Sequence, residues 1–357
     1  MRIFIQSVAF VSLFTLAVSC SKKASDTVAP DQCLYLGKTV IGERPSVNEK
    51  TSYGNEIHWN DQKQMTAARR FDKSEGRSNI SDAILWTNDN QINFTFAYDS
   101  EGFLTQKVMK IINIHWGEGV RATTYEGRKF ENFADETSET SEYKYESGRV
   151  KLVNILVAKR LRGNGEILLD QTFNYTKTYT YDSQGNPVSA IETNPLGKTV
   201  STYKNGILAS AVTTNTADQL QFTEEYDDKG NRTAQIGRNY RFNYTYDAKG
   251  NLTRIEYTVN NKPVYTQDYT FDDRLNPEST IPTKFKGIPE LLRTLPISTS
   301  VNNITGKKYN GIQITSNYET KSSYVYNVDG LPESSASTWT GEEIGQTEST
   351  TFRYKCP

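Results

Sequence analysis

The sequence predicts an all-β protein. We expect a long antiparallel meander of repeated β-hairpins forming a large twisted sheet, with one short helix near residues 288–295. Three observations support this prediction. Aromatic and polar residues alternate with period two, a Tyr-Asp-x-x-Gly segment recurs along the chain, and only 36% of the 357 residues are apolar even when Tyr is counted. Alternation is typical of strands with one wetter face, and so few apolar residues predict a thin core.

The N-terminal residues 1–19 are predicted to be a signal peptide. Arg2 precedes the apolar run IFIQSVAFVSLFTLAV, and the chain turns polar directly after it. This pattern is typical of a secretory signal, and the run is too short for a stable membrane span. Residues 16–19 followed by Cys20 resemble a bacterial lipobox. The resemblance implies cleavage before Cys20 and lipidation of its thiol, with an ordinary signal and an incidental cysteine as the alternative. Residues 20–32 are then a flexible tether.

The other two cysteines, Cys33 and Cys356, bracket the predicted mature domain of residues 33–357. In an exported protein, cysteines that occur in an even number usually form disulfides, so we expect a disulfide between these two. The alternative is two unpaired thiols at the chain ends. The formal net charge is −1, from 41 basic and 42 acidic residues. The chain therefore has no excess of positive charge that would attract nucleic acid. We therefore expect no nucleic-acid partner.

The recurring segment is a repeat. YTYDSQGN begins at Tyr179 and YTYDAKGN begins at Tyr244, and further copies carry the same aromatic anchor. Five successive anchors stand at positions 181, 203, 226, 246 and 271, which are steps of 22, 23, 20 and 25 residues. A degenerate period of this length indicates one supersecondary unit per copy.

Each copy predicts a strand, a tight turn and a second strand. In RFNYTYD, the residues Phe242, Tyr244 and Tyr246 share one face of the predicted strand. The following Asp247 can accept hydrogen bonds from backbone amides of the turn. Gly250 can take a positive φ and close a type I turn with a bulge. We therefore expect the aromatic residues of neighbouring copies to lie close together on one face.

The segment Y-x-Y-D-x-x-G-N/R-L resembles the YD repeat of Rhs and teneurin-type proteins, over roughly residues 94–331. In that family many repeats wind into a hollow β-shell around a cargo. This chain has too few copies for a large shell, and the copy at 272–277 reads DDRLNP and lacks the Gly. The chain is more similar to short Bacteroidota envelope lipoproteins with degenerate, Rhs-like YD repeats. The resemblance implies an architecture and a cell-envelope location, and it supplies no catalytic residues.

The resemblance also bears on the side of the membrane that the protein occupies. In lipoproteins of this kind an acidic cluster after the lipidated cysteine is associated with surface export. Lys22 and Lys23 stand in that region here. We therefore expect the periplasmic face of the outer membrane, with surface exposure left open. The sequence does not decide whether the sheet stays open or curls into a barrel.

One interval interrupts the hairpins. Residues 277–305 contain four prolines, and IPELLRTL has the composition of a short helix with Pro289 in its first turn. We expect this segment to cap an end or a face of the sheet. No linker separates two domains, so residues 33–357 are predicted to form a single β domain.

No catalytic motif is evident. The chain lacks GxSxG, HExxH, a P-loop, GxGxxG and CxxC. A pair of carboxylates could meet across the sheet as in glycosidases, but each repeat Asp already has a role in its turn. We expect no enzyme, no cofactor and no metal site. The candidate ligand-binding residues are the tryptophans Trp59, Trp86, Trp116 and Trp339, and the alternative is that these rings only fill the core.

The leading hypothesis is a non-enzymatic, lipid-anchored scaffold or binding module of the outer membrane. It would contact the membrane through its N-terminal lipid, and its ligand would be a glycan or an envelope protein. The alternative is a periplasmic carrier of a lipid or another hydrophobic ligand. In that case a curved sheet would enclose the ligand, and the segment 277–305 would be the lid.

Overall fold

The computed structural model describes residues 33–44, 48–78, 83–117, 122–281, 285–289, 300–312, 317–341 and 346–356. The predicted signal peptide of residues 1–19, the tether of residues 20–32 and the lipidation of Cys20 lie outside these residues and stay predictions. Within the described residues, no helix has both the length and the apolar character needed to cross a membrane.

Strands account for nearly all of the described secondary structure, as predicted. The first eleven are β1 (Leu34–Arg44), β2 (Glu49–Trp59), β3 (Met65–Arg77), β4 (Ile84–Tyr98), β5 (Leu104–Gly117), β6 (Thr123–Tyr125), β7 (Arg128–Phe130), β8 (Asn132–Glu146), β9 (Arg149–Gly163), β10 (Glu166–Tyr181) and β11 (Pro187–Asn194). The others are β12 (Gly197–Lys204), β13 (Ile207–Asn215), β14 (Leu220–Tyr226), β15 (Arg232–Gly237), β16 (Tyr240–Tyr246), β17 (Leu252–Val259), β18 (Lys262–Leu275), β19 (Asn302–Gly311), β20 (Asn317–Tyr326), β21 (Pro332–Gly341) and β22 (Thr347–Lys355).

The sheet closes on itself. Each strand pairs antiparallel with the next one along the chain, apart from the small β6–β7 hairpin, which stands outside the 20-stranded sheet. The first strand, β1, pairs with β2 on one side and with β22 on the other. The meander of hairpins is therefore confirmed, but the prediction of a large twisted sheet needs correction. The twist brings the two edge strands together, and the product is a barrel without edges.

The disulfide is at the seam of this barrel. Cys33 precedes β1, Cys356 follows β22, and their sulfurs are bonded, so that prediction is confirmed. Nine residues of β1 pair with residues of β22, from Leu34 opposite Lys355 to Glu43 opposite Thr347. Twenty strands about 4.8 Å apart give a perimeter of about 95 Å, which is in the range of barrels that enclose a lumen.

The two ends of the barrel differ. The end that carries the disulfide also carries every repeat turn, and it is closed by a segment that leaves the wall between β18 and β19. The segment starts with Asn276 and a 3-10 helix, Pro277–Thr280. We call its described residues 276–281 and 285–289 the plug, this end the plugged rim and the other end the far rim.

The plug crosses the inside of the barrel. The carboxylate of Glu278 accepts hydrogen bonds from Lys38 on β1 and Asn55 on β2, at 3.2 Å and 2.6 Å. Farther along, the ring of Phe285 stacks on Phe96 of β4, with 5.5 Å between ring centroids. The plug then reaches β9, on the side of the ring opposite its origin. Its contacts identify which face of each strand points inward.

The last of these contacts is between backbones. The amide of Val150 on β9 donates to the carbonyl of Gly287 over 2.9 Å. Ile281 and Phe285 are buried in one core cluster with residues of β1 to β5, and burial of such a side chain contributes roughly 1.5–3 kcal/mol. The core therefore lies at the plugged rim, between the plug and the inner wall. The helix predicted near 288–295 falls mostly outside the described residues, and Ile288 and Pro289 are not helical.

The outer face of the wall carries charge along the strands. Arg160 pairs with Asp170 at 2.7 Å and Arg254 pairs with Asp268 at 3.2 Å, both outside the barrel. Lys110, in the middle of β5, is exposed on the same face. A barrel that spans a membrane instead shows lipid an apolar band about 25 Å tall. The outer wall carries charged groups that would be costly in lipid, together with exposed apolar side chains such as Ile41, Ile114 and Leu156.

The seam gives a first prediction. Replacing both Cys33 and Cys356 with Ser frees a loop of 323 residues in the unfolded chain, so we expect a loss of stability of up to about 6 kcal/mol in the chain-entropy treatment. The measurement is the midpoint of guanidinium unfolding. Reductant should shift the wild type toward the variant and leave the variant unchanged. Equal midpoints for the oxidised wild type and the variant would contradict the prediction.

Candidate functional site

The anchor tyrosine of each repeat lies at a β-bulge beside the plugged rim. The pairing register shifts at Tyr98, Tyr145, Tyr181, Tyr203, Tyr226, Tyr246 and Tyr326. Bulges are common at barrel rims, where they bend the strand and redirect a side chain. Here the tyrosines share the face of the strands that contacts the plug. The repeated tyrosine is therefore a rim residue that points inward.

Six of the inward tyrosines join neighbouring hairpins. Each hydroxyl donates to a backbone carbonyl near the start of the adjacent strand. The pairs are Tyr98 with Met65, Tyr145 with Leu104, Tyr181 with Val150, Tyr246 with Arg232, Tyr324 with Ile304 and Tyr354 with Pro332, at 2.7–3.1 Å. We call these bonds tyrosine latches. They occur because a bulge leaves a carbonyl unpaired by the ladder, and a buried carbonyl without a partner is costly.

The repeat aspartates are occupied by their own turns, as predicted. Asp182 accepts hydrogen bonds from the amides of Gln184 and Asn186, and Gly185 has a φ of 86°. Bonds from the Asn186 side chain and backbone lower the pKa of Asp182. A carboxylate that is held ionised in this way is a poor general acid. The turns therefore serve the structure of the rim.

The copy that lacks its glycine is the one from which the plug departs. Asp272 accepts from the amide of Arg274 as in the other turns, but no tight hairpin follows. The chain instead continues through Asn276 into the plug and returns at Asn302. A missing glycine in one copy was the local signal in the sequence for this departure.

A second set of inward aromatic residues lies farther from the plugged rim. Six rings on six successive strands form one row across the inner wall, which we call the aromatic stripe. Its members are Phe242 on β16, Tyr257 on β17, Tyr265 on β18, Tyr309 on β19, Tyr318 on β20 and Trp339 on β21. Neighbouring ring centroids are 4.5, 5.2, 5.0, 5.0 and 5.2 Å apart.

These rings overlap one another. The angles between neighbouring ring planes are 23°, 40°, 33°, 4° and 37°, in the same order. Two of the five contacts, Phe242–Tyr257 and Tyr309–Tyr318, are stacked, and the other three are tilted. Aromatic pairs in such arrangements add about 0.5–1.5 kcal/mol each beyond their buried area. The neighbours cover much of each inner ring face. The stripe therefore presents ring edges to the lumen.

The exposed edges carry hydroxyl groups. The phenol oxygen is the side-chain atom farthest from the backbone, and Tyr257, Tyr265 and Tyr309 are all half-buried on the inner face. Within the described part of the chain, no hydrogen bond reaches these three hydroxyls. Burial raises the pKa of Tyr265 and of Tyr309, so both stay protonated at neutral pH. The stripe can offer a ligand a row of neutral hydroxyl groups that donate and accept.

The structure does not bring the four candidate tryptophans together. Trp59 donates its indole N–H to the carbonyl of Tyr35 over 2.9 Å and packs on the core cluster. Trp86 lies against Gly76 on the inner wall. Trp116 pairs with Thr87 and lies on the outer face of the barrel. Only Trp339 belongs to the stripe. The five other stripe residues were missed because their alignment depends on the register of six strands.

A search of the described residues finds no group of three His, Cys, Asp or Glu side chains that could hold a metal ion. Of the two histidines, His115 contacts Asn88 through its Nδ1. The polar groups of the inner wall include the phenol hydroxyls and the indole of the stripe, the ammonium of Lys307 and the carboxylate of Glu348.

Comparisons with known proteins assign no family to the chain. No protein-family model matches the chain, and no curated protein matches it. Among solved structures, a porin-like protein from Bacteroides uniformis aligns with 90% of this chain and 96% of its own, at 10% identity and a TM-score of 0.37. A match at that score does not establish a shared fold.

The latches give a second prediction. Changing Tyr246 to Phe keeps the ring but leaves the carbonyl of Arg232 without its donor, so we expect a loss of about 1 kcal/mol of unfolding free energy. The matched control is Tyr309→Phe, whose hydroxyl has no described partner and whose loss should cost little. Urea unfolding of both variants is the measurement. Equal stability of the two variants would show that the hydrogen bond from Tyr246 to Arg232 does not stabilise the fold.

Proposed function

We propose that this chain is a non-enzymatic, lipid-anchored binding protein of the cell envelope that holds a glycan inside its barrel. The observation that carries the proposal is the aromatic stripe, a row of neutral hydroxyl groups on the inner wall of a closed barrel. Sugar hydroxyls pair with such groups because both donate and accept. The resemblance to short Bacteroidota lipoproteins with YD repeats agrees with an envelope location.

The outer wall supports a barrel that stands in water beside a membrane. Its charged pairs would be expensive in lipid, so the attachment would come from the acyl chains on Cys20. The chain enters the barrel at Cys33, on the plugged rim. A tether of residues 20–32 then leads from that rim to the bilayer, and two or three acyl chains would anchor it firmly. We place the protein on the periplasmic face of the outer membrane.

The composition of the inner wall favours a glycan over a lipid. Gln267 and Thr320 pair with the stripe residues Tyr309 and Trp339, and Lys307 pairs with Thr320. All three side chains therefore face inward beside the stripe. An acyl chain laid over these groups would remove their water without offering hydrogen bonds, which is costly. A glycan would replace that water with its own hydroxyls. The described residues 277–281 and 285–289 belong to the plug, which gives the lid of the carrier hypothesis no support.

The anchor gives a third prediction. In cells that express the full chain, we expect wild-type protein to take up labelled fatty acid and to sediment with the outer membrane. Cys20→Ala should abolish the label and release the protein in soluble form. Cys33→Ser is the matched control and should keep the label. A Cys20→Ala protein that still sediments with the membrane would contradict the lipid anchor.

The stripe gives a fourth prediction. The triple variant Tyr257→Phe, Tyr265→Phe and Tyr309→Phe keeps the stacked rings and removes three hydroxyls. Each lost hydrogen bond is worth about 0.5–1.5 kcal/mol, so affinity should fall at least about tenfold. The measurement is calorimetric titration with a panel of neutral and acidic oligosaccharides, followed by a check that the bound sugar is recovered uncut.

Tyr125→Phe, a change outside the 20-stranded sheet, is the matched control and should bind as the wild type does. Wild-type protein that binds no member of the panel, or a triple variant that binds equally well, would overturn the proposal. Recovery of cleaved sugar would overturn its non-enzymatic part.

A further inference from the structure

One end of the aromatic stripe contains two buried polar atoms without partners. Thr320 on β20 pairs directly with Trp339 on β21, and both side chains face the lumen. Thr320 is 8% exposed. Among the described residues, neither its Oγ1 nor the Nε1 of Trp339 has a hydrogen-bond partner. A buried polar group left unpaired costs about 1–3 kcal/mol, so both atoms require a partner from outside the described chain, which is water or a ligand.

A cation lies at the same place. Lys307 on β19 pairs with Thr320 from the other side, so Thr320 is flanked by Lys307 and Trp339. The ammonium of Lys307 is 5.4 Å from the ring centroid of Tyr318 and 6.0 Å from that of Trp339. Cation–π attraction of this kind holds the ammonium beside the two unpaired atoms. We call Lys307, Thr320 and Trp339 the niche.

All three members of the niche can donate a hydrogen bond. An ammonium and an indole N–H only donate, and a threonine hydroxyl can donate. Glu348 on β22, a carboxylate on the inner face, accepts hydrogen bonds from Tyr53 and from Gln346. The niche is therefore complementary to a group that only accepts and that carries negative charge.

We propose that the niche is the subsite for an anionic substituent, a carboxylate or a sulfate, on the glycan held by the stripe. The inference rests on the proposed function and adds the class of sugar. The ring of Tyr318 belongs to the stripe and also contacts Lys307, so one sugar unit can reach both features. Its hydroxyls would meet the phenol edges, and its charged group would take donors from Lys307, Thr320 and Trp339. Charge-assisted bonds are about twice as strong as neutral ones.

The test compares one sugar in two forms. Tri-galacturonate and its fully methyl-esterified form share every hydroxyl and differ in charge, and a sulfated trisaccharide supplies the other source of the anion. We expect wild-type protein to bind an anionic form at least about tenfold more tightly than the ester, with a preference that shrinks as salt is added. Lys307→Met and Thr320→Val should each bring the ratio of the two affinities close to one.

Lys308→Met is the matched control, because Lys308 is the next residue and lies exposed on the outer face. It should keep the wild-type ratio. Wild-type protein that binds acid and ester equally would overturn the niche while leaving the glycan proposal in place. An unchanged ratio in Lys307→Met would also overturn it. Failure of every sugar to bind would instead remove the proposed function, and the niche with it. A preference for the sulfated sugar over the carboxylate identifies the anion as sulfate.

Discussion

The rest of the structure depends on the pairing of β1 with β22. A meander of twenty strands has two unpaired edges unless its ends meet, and each edge would expose a row of backbone amides and carbonyls. Pairing from Leu34 opposite Lys355 onward removes both edges. Closure also separates an inner face from an outer face. Only then do inward tyrosines, a plug and a lumen exist as distinct features.

The same residue type performs two tasks on the inner face. At the plugged rim the hydroxyl of Tyr246 donates a hydrogen bond to the carbonyl of Arg232, and this bond joins neighbouring hairpins. Farther inside, the hydroxyls of Tyr265 and Tyr309 meet no protein partner in the described residues, although their rings contact each other at a tilt of 33°. The difference follows from position, because the bulges that leave carbonyls unpaired occur beside the turns. Function is therefore assigned to the tyrosines that the fold does not use.

Local features of this structure could be predicted from the sequence, and long-range features could not. Asp182 and Gly185 specify their turn within a few residues, and alternation specifies the strands around it. The disulfide followed from the positions of Cys33 and Cys356. Closure depends on contacts between the two ends of the chain, which leave no local pattern. The aromatic stripe depends on the relative register of six strands. Sequence reasoning chose the tryptophans, the rarest aromatic residues, and found only the one at the end of the stripe.

Hydrogen exchange of the backbone amides at the seam tests the central claim most directly. In a closed barrel the amides of β1 and β22 that point toward each other are bonded across the seam, and they should exchange as slowly as those between β8 and β9. The experiment should use the variant with both Cys33 and Cys356 changed to Ser, so that the disulfide cannot hold the edges together. Fast exchange limited to those amides, with slow exchange elsewhere, would show an open sheet and contradict the account.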